Sequence, residues 1–311
     1  MMSASFPPPV IAAVFSSFNR KQVALQCLDR LRHQTRPLDL VVAGDNASTD
    51  GSREAFAALE WPALHVVNTG DNLGNAGAVQ AAMEKAFELG ADAVWILDDD
   101  SWPRPDALAA LVADWHGGAT VRHSLQIDPR SGAYSWPLPV KMPDGAWKTI
   151  TSPAEWPGPA IVASRVSWTG ALVPRAAREA AGPILGDLFI RGEDEEYPHR
   201  LAAAGFSFEA VRDSVLDHPS ATGLRHWRLM GKEFWFEPGL GGWKLYYEVR
   251  NNVWLQLNRE HSAPRAVLIA LLHAAALLTH GPRSAATAGI WWSAVCDGFA
   301  GKLGRRDFPP P

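Results

Sequence analysis

Apolar and polar positions alternate along the first 115 residues in a pattern that predicts both strands and helices. Apolar runs predict strands at 10–15, 38–44, 64–68 and 93–97, and helical spacing predicts helices at 20–35, 50–58, 76–89 and from Pro105 onward. Strands that alternate with helices imply right-handed crossovers and a mostly parallel sheet. Because ligands of such sheets bind beyond the carboxyl ends of the strands, the polar residues there are the candidates for chemistry.

The middle of the chain has a different pattern. Thr120–Ile127 and Tyr134–Ile150 are typical of strands, and the Pro-Asp-Gly turn at 143–145 predicts an antiparallel hairpin or flap. A strand leads into Trp168, and the spacing predicts a helix over 193–204. A short strand is expected over 214–218, ending at a polar site.

From Lys244 onward the pattern is helical, with interruptions at Pro264 and at Gly281-Pro282. We therefore expect an α/β domain over 1–225, with the hairpin as an insertion. A helical C-terminal region is expected over 226–311, rich in tryptophan and facing a membrane or a partner.

The composition of the chain excludes some classes of protein. With 311 residues, 47% of them hydrophobic, and a net charge of -4, the chain is typical of a globular protein. These values argue against a disordered chain and against a generally basic nucleic-acid binder. The two cysteines, far apart in sequence, form neither a disulfide framework nor a zinc site, and they fit a reducing compartment. No targeting segment is expected.

The charge is unevenly divided along the chain. From Arg250 to the end, seven basic and three acidic residues give +4, whereas the rest of the chain carries -8. A basic tail on an acidic body favours contact with something anionic, although chance is an alternative with so few charges.

An acidic triplet, Asp98-Asp99-Asp100, directly follows an apolar strand. Residues i and i+2 of an extended chain point the same way, so Asp98 and Asp100 can converge on one point. Two carboxylates there repel each other unless a cation joins them, and oxygen ligands favour Mg²⁺ or Mn²⁺. The alternative is a helix cap or turn cluster before Pro103. The strand context favours a metal-diphosphate site.

Two further polar groups are expected at the same sheet edge. Asn19 and Arg20 follow the first strand, and Asp45 and Asn46 end the second. Aspartate and asparagine can hydrogen-bond a pyrimidine edge, and arginine can face a phosphate. A loop over 71–77 precedes a helix, and its glycines let the backbone approach a ligand. Taken singly, each of these segments is also an ordinary turn or cap sequence.

An acidic run and a histidine complete the candidates. Residues 193–196 are four consecutive acids, which is more than a helix start needs, so one of them can serve as a general base. His218 closes a short strand, and a neutral imidazole there could complete the site of Asp98 and Asp100 and favour Mn²⁺ over Mg²⁺. A lone histidine is otherwise more often structural.

Together these segments resemble the family 2 glycosyltransferases of the GT-A fold, and among them bacterial galactofuranosyltransferases and rhamnosyltransferases that act on lipid-linked acceptors. The resemblance lies in VFSSFNR, VVAGDNASTDGS, NLGNAGA, VWILDDD, WTGALVP, DLFIRGEDEEYPHRLAAAGF, LDHP and YYEVRNN, and it covers about the first 220 residues as a pattern. It implies a GT-A catalytic domain and an inverting, metal-dependent transfer from a nucleotide-diphospho-sugar donor to a lipid-linked glycan.

The resemblance also implies roles for residues at the matching positions. Donor contacts are implied for Asn19, Arg20, Asp45, Asn46, Gly74, Asn75, Gly77 and Asp99. Metal binding, of Mn²⁺ or Mg²⁺, is implied for Asp98, Asp100 and His218. Asp194 matches the catalytic base, with Glu193 beside it as the alternative. Trp168 and Gly170 would shape the acceptor site.

The C-terminal region suits an acceptor carried on a lipid. Ala266–Leu278 offers an apolar surface, Trp291-Trp292 suits an interface, and Lys302, Arg305 and Arg306 suit anionic headgroups. We expect a cytoplasmic protein, peripheral at the inner face of the plasma membrane. The alternative is that these helices pack on the catalytic domain or on a second subunit in a homo-oligomer.

Three alternatives remain open at this point. The donor is expected to be UDP-galactofuranose, with dTDP-rhamnose as the runner-up. A sugar-nucleotide pyrophosphorylase would need a Gly-rich first loop with Arg or Lys, which FSSFNRK does not resemble. A non-catalytic carbohydrate-binding protein would not need the metal candidates and Asp194 together.

Overall fold

The computed structural model describes residues 8–115, 117–165, 168–220, 225–229, 232–237 and 239–308. The chain divides into two compact units. The first comprises Met1–Ile184 and Tyr197–Ser220, and the second comprises Leu185–Glu196 and Ala221–Pro311. The boundary expected from the sequence at residue 225 does not anticipate that Leu185–Glu196 joins the C-terminal unit.

The first unit contains a nine-stranded sheet and five complete helices among its described residues. Its sheet strands are β1 (Ile11–Ser17), β2 (Leu40–Asp45), β3 (Leu64–Asn68), β4 (Ala93–Ile96), β5 (Trp102–Pro103), β6 (Thr120–Ile127), β9 (Ile161–Ala163), β10 (Ala171–Pro174) and β11 (Ser207–Asp217), and a separate hairpin is formed by β7 (Leu138–Lys141) and β8 (Trp147–Ile150). Its helices are α1 (Lys21–Arg32), α2 (Ser52–Ala57), α3 (Gly74–Glu88), α4 (Ala107–Val112) and α5 (Arg175–Ala181). Helix α6 (Glu193–Ala203) begins in the second unit and continues in the first.

The strand order is β3-β2-β1-β4-β10-β6-β11-β5, with β9 paired to β11. Strands β1, β2, β3 and β4 pair in parallel with one another, and β6 pairs in parallel with β11. Strand β10 runs antiparallel to both β4 and β6, and β11 runs antiparallel to β5 and β9. The predicted mostly parallel sheet with an antiparallel hairpin insertion and a helical C-terminal region is therefore confirmed.

Strand β1 is buried on both faces. Ile11, Ala13 and Phe15 pack in one apolar cluster with α1, while Ala12 and Val14 pack in another with α3. This is why the first strand reads as a continuous apolar run rather than an alternating one. Helices on both faces of the sheet leave the carboxyl ends of β1, β2 and β4 as the edge at which polar side chains gather.

Several expectations about local structure need correction. The helix expected from Pro105 begins at Ala107. The segment Tyr134–Ile150 is a hairpin with strands at both ends of its turn, while Thr120–Ile127 belongs to the main sheet. The strand expected at 214–218 is the end of the eleven-residue β11. Its Arg212 and Asp213 lie at a register shift, which interrupts the apolar pattern.

The Asp50 carboxylate forms hydrogen bonds at the starts of two helices. Its carboxylate accepts hydrogen bonds from the N–H of Lys21 at 2.8 Å and from the N–H of Ser52 at 3.0 Å. The first contact lies at the start of α1, some 30 residues earlier in the chain, and the sequence gives no local indication of it. The two contacts tie the start of α1 to the start of α2.

The second unit is built mainly from three helices, α7 (Gly242–Asn258), α8 (Ala263–His280) and α9 (Ala285–Phe299). Its hairpin, formed by β12 (Arg225–Leu229) and β13 (Lys232–Phe236), is absent from the sequence-based prediction. Helix α7 packs against both α8 and α9 around an apolar cluster that includes Tyr247, Val253 and Ala270.

Candidate active site

The strongest candidate site gathers Asp98, Asp100 and His218 in the first unit. The Nε2 atom of His218 lies 3.9 Å from Oδ2 of Asp98 and 3.6 Å from Oδ1 of Asp100. One ligand atom from each residue lies within 4.8 Å of the other two. All three side chains are partly buried. The structure thus brings together the three residues that the sequence assigned to a metal.

The pairing of β5 with β11 explains how residues 120 positions apart come together. Trp102 pairs with Asp217 and Pro103 with Leu216 in antiparallel register. The acidic triplet lies just before β5, and His218 lies just after β11, so this short ladder places both at the same point. A second contact fixes the end of β11, because His218 N–H donates to the carbonyl of Ile127 at 3.0 Å.

The donor set fits a divalent cation. Two carboxylates and one imidazole offer mixed oxygen and nitrogen ligands, which suit Mn²⁺, while the carboxylates suit Mg²⁺. The Thr169 hydroxyl donates to Oδ2 of Asp98 at 2.6 Å and fixes the orientation of that carboxylate. Thr169 was not among the candidates from the sequence, since a single threonine between Trp168 and Gly170 gives no local indication of a role at a metal site.

Arg20 neutralises part of the acidic triplet. Its guanidinium donates to Oδ1 of Asp99 at 2.5 Å and to Oδ2 of Asp100 at 2.9 Å. Desolvation by burial raises the pKa of Asp99 to about 7, and the charge of Arg20 opposes that rise. Arg20 and Asp99 were both expected to contact a donor. In this structure they bind each other, and the donor contact stays a prediction.

Asp45 and Asn46 hold the loops at the end of β2. Asp45 is fully buried, and its carboxylate accepts from Ser48 N–H at 3.1 Å and contacts Arg53 at 3.3 Å. The Asn46 amide donates to Asn72 at 2.8 Å and accepts from Leu73 N–H at 2.8 Å. Both side chains therefore fix the loops at this edge of the sheet, and their contact with a nucleotide stays a prediction.

Asn19 has a similar loop-holding position after β1. Its backbone is left-handed, with φ 52°, and its side-chain oxygen accepts from Thr49 N–H at 2.7 Å. Asparagine tolerates this conformation better than most residues, which accounts for its presence at the turn.

The loop before α3 lies close to the strand ends. Gly74 has a φ of 72°, and the Asn75 side chain accepts a hydrogen bond from the Ser16 hydroxyl. A Cβ added at Gly77 would lie 2.6 Å from Cβ of Leu73, and one added at Gly44 would lie 2.7 Å from the carbonyl oxygen of Ala78. Gly44 lets the first turns of α3 pack directly on the backbone of β2, and Gly77 leaves room for Leu73 at the start of α3.

Trp168 and Gly170 lie inside the first unit. The Trp168 side chain is 3% exposed and makes an edge-to-face contact with Tyr197, with ring centroids 6.0 Å apart. Gly170 has a φ of 87° and donates its N–H to Ile96 at 2.7 Å. Both residues are buried, and they flank Thr169 in the chain. The expected role of Trp168 and Gly170 at an acceptor stays a prediction.

The acidic run lies in the second unit and follows an unusual loop. Phe189 and Arg191 have φ angles of 68° and 67°, and Gly192 has 94°. The Ile190 N–H donates to the carbonyl of Leu188 at 2.8 Å, which makes Phe189 the centre of a tight turn. Left-handed backbone at non-glycine residues is strained and persists only where its surroundings impose it.

Within this run, Glu193 and Asp194 differ in their exposure. The Glu193 side chain is buried, whereas Asp194 and Glu195 keep part of their surface in solvent although protein atoms surround them densely. Asp194 accepts a hydrogen bond from Gly192 N–H at 3.0 Å. Desolvation, followed by the like charge of Glu248, raises the pKa of Asp194, and desolvation with the charges of Asp194 and Glu248 raises the pKa of Glu195 to about 7.

Three residues near Arg191 and Asp194, namely Glu237, Glu248 and Asn251, were not among the candidates drawn from the sequence. Arg191 binds Glu248 at 2.9 Å and Glu237 at 3.2 Å, and Asn251 donates its amide to the loop carbonyls. Glu248 and Asn251 belong to YYEVRNN, which was noted only as part of a resemblance. Their spacing of three residues places them on one face of a helix, which is the local signal they carry.

A family model described as "Glycosyl transferase family 2" matches residues 13–158. "Galactofuranosyltransferase GlfT1" of Mycolicibacterium smegmatis is 27% identical over 223 residues, which cover 68% of this chain and 72% of the relative. "N-acetylglucosaminyl-diphospho-decaprenol L-rhamnosyltransferase" of Mycobacterium tuberculosis is 28% identical over 253 residues, with coverages of 70% and 75%.

Solved structures share the fold at low identity. S. aureus TarS, in a crystal structure of its residues 1–349, matches with a TM-score of 0.53, 13% identity and coverages of 86% of this chain and 72% of that one. The mannosyltransferase PcManGT from Pyrobaculum calidifontis, in complex with GDP-Man and Mn²⁺, matches with a TM-score of 0.51, 20% identity and coverages of 94% and 74%. The family match and the named relatives confirm the expected enzyme class, and the solved structures confirm the expected fold. The protein is a glycosyltransferase with the GT-A fold, and its residues 13–158 match the family 2 model.

Proposed function

We propose that the protein is an inverting, metal-dependent glycosyltransferase that moves galactofuranose from UDP-galactofuranose to a hydroxyl of a lipid-linked glycan. The observation that carries this proposal is the convergence of Asp98, Asp100 and His218 at the strand edge of a glycosyltransferase fold. The lipid-linked glycan would be an intermediate in the synthesis of a cell-envelope polysaccharide.

Asp98, Asp100 and His218 would hold Mn²⁺ or Mg²⁺. A divalent cation bound there supplies positive charge that offsets the charge building on the leaving diphosphate. Arg20 supports the same arrangement, since it already compensates the third carboxylate and one oxygen of Asp100. The mannosyltransferase PcManGT, whose crystals contain Mn²⁺, is a structural neighbour that favours this choice of metal.

Asp194 would act as the general base. It takes the proton of the acceptor hydroxyl, whose oxygen forms a bond to the anomeric carbon while the bond from that carbon to the diphosphate oxygen breaks. Attack from the face opposite the leaving group inverts the configuration. The raised pKa of Asp194 suits the role, because a base is most effective when its pKa approaches the working pH.

The choice of donor rests on the named relatives. Two GlfT1 sequences of Mycobacterium tuberculosis strains are 29% identical to this chain, and the L-rhamnosyltransferase is 28% identical. The identities are nearly equal, so dTDP-rhamnose remains the second candidate donor. The name of the L-rhamnosyltransferase includes a sugar linked to diphospho-decaprenol, which supports a lipid-linked acceptor.

The deciding experiment measures nucleotide release by the full chain with Mn²⁺ and a lipid-linked sugar acceptor, comparing UDP-galactofuranose with dTDP-rhamnose. Turnover of the first donor alone is expected, and it should stop when EDTA is added. Turnover of dTDP-rhamnose alone would overturn the proposed donor and retain the mechanism. Full turnover in EDTA would overturn the metal dependence.

The base is tested with Asp194→Asn and Glu193→Gln as a matched pair. Asp194→Asn should lower kcat by about 10²–10⁴-fold and retain metal-dependent nucleotide binding. If Asp194→Asn keeps full turnover while Glu193→Gln loses it, the base is Glu193.

We also propose that the second unit docks on an anionic lipid surface. Helix α8 packs inward through small residues and His273, with Ala266, Ala270 and Ala276 buried. Several of its large side chains are exposed, among them Leu271 at 58% and Leu278 at 68%. This arrangement is the reverse of an ordinary amphipathic helix, whose large apolar side chains face the core.

Helix α9 continues the same pattern. It buries Ala294, Val295 and Gly298, and it leaves Trp292 61% exposed and Phe299 41% exposed.

Basic side chains flank helices α8 and α9, namely Arg265, Arg283, Lys302, Arg305 and Arg306. Among the described residues, α8 is the one helix long and apolar enough to cross a membrane, a test that core helices also pass. The flanking positive charge favours a surface position.

Vesicle sedimentation tests this docking. The full chain should sediment with phosphatidylglycerol vesicles more than with phosphatidylcholine vesicles, and Leu271→Glu should abolish the binding. Leu89→Glu, which places the same charge on the exposed end of α3, is the matched control. Unchanged sedimentation of Leu271→Glu would overturn the proposal. A dimer that Leu271→Glu dissociates would assign the face to a second copy of the chain.

A further inference from the structure

One face of helix α7 contacts the acidic segment Arg191–Glu196. The contacting residues are Glu248, Asn251, Leu255 and Arg259. Their spacing of three, four and four residues places them in one stripe along the helix. They meet the segment in order, because Glu248 binds Arg191, Asn251 and Leu255 lie against Gly192, and Arg259 binds Glu196.

Asn251 is the centre of this stripe. Its buried amide donates to the carbonyls of Leu188 at 3.0 Å and Ile190 at 3.0 Å, and also to that of Arg191. The neighbouring Arg250 donates to the carbonyl of Leu188 at 2.9 Å. A single amide therefore gathers three carbonyls of the loop that has left-handed backbone at Phe189 and Arg191.

Gly192 allows the loop to lie this close to α7. A Cβ at this position would lie 3.2 Å from Cβ of Asn251 and 3.3 Å from Cδ1 of Leu255, and the φ of 94° is itself unfavourable for other residues. The N–H of Gly192 then donates to Asp194. The chain of contacts runs from Asn251 through the loop backbone to the carboxylate of Asp194.

We propose that Asn251, with Glu248 on the same face of α7, is a positioning residue that fixes the loop Leu188–Gly192 and thereby aims the carboxylate of Asp194. This inference rests on the proposed function, in which Asp194 is the base. Neither Asn251 nor Glu248 touches the reacting atoms. They act by holding a strained backbone in the one conformation that presents Asp194.

Glu248 contacts the loop through Arg191, and its negative charge also acts on Asp194. It binds Arg191 at 2.9 Å and also bonds Asn252 of its own helix at 3.0 Å, which fixes its position. The charged groups that act on Asp194 within this unit are Glu248 and Arg191, and those that act on Glu195 are Asp194, Glu248 and Glu260. Desolvation and Glu248 raise the pKa of Asp194, while Arg191 opposes them.

The first test is Asn251→Asp in the full chain. The substitution keeps the shape and replaces the donor by an oxygen that faces three carbonyls. We expect kcat to fall by about 10²-fold, since a displacement of about 1 Å at a reacting group costs that much, while donor KM and Mn²⁺-dependent nucleotide binding stay within about twofold. Asn258→Asp is the matched control on the same helix, because its amide donates to the carbonyl of Trp254 one turn earlier.

A wild-type kcat in Asn251→Asp would overturn the proposal. A parallel loss of kcat, nucleotide binding and thermal stability would also overturn it, in favour of a purely structural role. Asp194→Asn is measured beside it. If Asp194→Asn keeps full turnover, the proposed base is wrong. If Asp194→Asn is inactive and Asn251→Asp is active, only the positioning role fails.

The pH profile of Glu248→Gln gives a second readout that does not depend on Asn251. Removing a negative charge beside Asp194 lowers the pKa of that carboxyl, so the acidic limb of the kcat profile should move to lower pH. Glu237→Gln, which also removes a partner of Arg191, is the matched control and should move the limb less. An acidic limb that does not move in Glu248→Gln would overturn the role of Glu248.

Discussion

The strand-edge site and the acidic segment are built in opposite ways. Asp98, Asp100 and His218 occupy the ends of ordinary strands, and the pairing of β5 with β11 brings them together. Asp194 instead follows a loop with left-handed residues at Phe189 and Arg191, held by side chains of another helix. The first site follows from topology, and the second depends on specific hydrogen bonds.

This difference implies different sensitivities. A site made by sheet topology should tolerate changes around it and lose function only when a ligand is removed. A site held by a strained loop should lose function when a supporting residue several ångströms away is changed. We expect this contrast to appear in the activity and stability of the variants below, of which the first should show the largest loss.

Removal of a metal ligand should have the largest effect. Asp98→Asn should lower turnover by at least about 10²-fold and shift the Mn²⁺ dependence to higher concentration, because a neutral amide replaces a carboxylate ligand. Nucleotide release at varied Mn²⁺ is the measurement. Asp217→Asn is the matched control, since that carboxylate binds Arg104 at 2.9 Å. Equal losses in both variants would contradict a site defined by its ligands.

A change behind the strand edge should cost stability. Gly44→Ala places a Cβ 2.7 Å from the backbone carbonyl of Ala78, so β2 and α3 must separate. We expect the free energy of unfolding to fall by about 1–3 kcal/mol, measured by denaturant titration. Gly289→Ala, on an open side of α9, should instead raise it by about 0.5–1 kcal/mol. No loss in Gly44→Ala would show that the strand edge is less tightly packed than the structure indicates.

A smaller effect concerns the pH dependence of stability. The pKa of Glu195 is raised from 4.5 to about 7 in the folded state, chiefly by desolvation and the charge of Asp194. The folded chain therefore holds this proton more tightly than the unfolded chain, and its stability falls as pH rises from about 4.5 through 7.

Glu195→Gln should remove that part of the pH dependence. Its Tm relative to the wild type should rise between pH 4.5 and 8, whereas Glu179→Gln on α5 controls for the loss of a surface carboxylate. A Tm difference between Glu195→Gln and the wild type that is the same at pH 4.5 and pH 8 would contradict the raised pKa. Since Glu195 is not the proposed base, this variant should also retain turnover.

Local patterns were enough to predict much of the first unit. The continuous apolar run of β1 reports burial on both faces, and the i, i+2 spacing of Asp98 and Asp100 correctly placed two carboxylates together. The hairpin β12–β13 was missed, because its polar and aromatic residues give no clear alternation.

The roles of some predicted donor residues depend on contacts that no local pattern contains. Arg20 was expected to face a phosphate, which stays a prediction, and its guanidinium lies on Asp99 and Asp100, nearly 80 residues further along the chain. Trp168 was expected near an acceptor and is buried in the core. In both cases a partner distant in sequence determines where the side chain lies.

Periodicity and strand ends are local properties, so the amino-acid pattern was enough to predict the α/β order of elements, the metal candidates and the helical C-terminal region. Tertiary packing was needed to show that Leu271 and Leu278 of α8 are exposed while its alanines 266, 270 and 276 are buried, because helical periodicity identifies a face without saying which neighbour covers it. It also decided that Asn251 of α7 holds the loop before Asp194. Such contacts arise when distant segments pack, and that packing is a property of the whole chain.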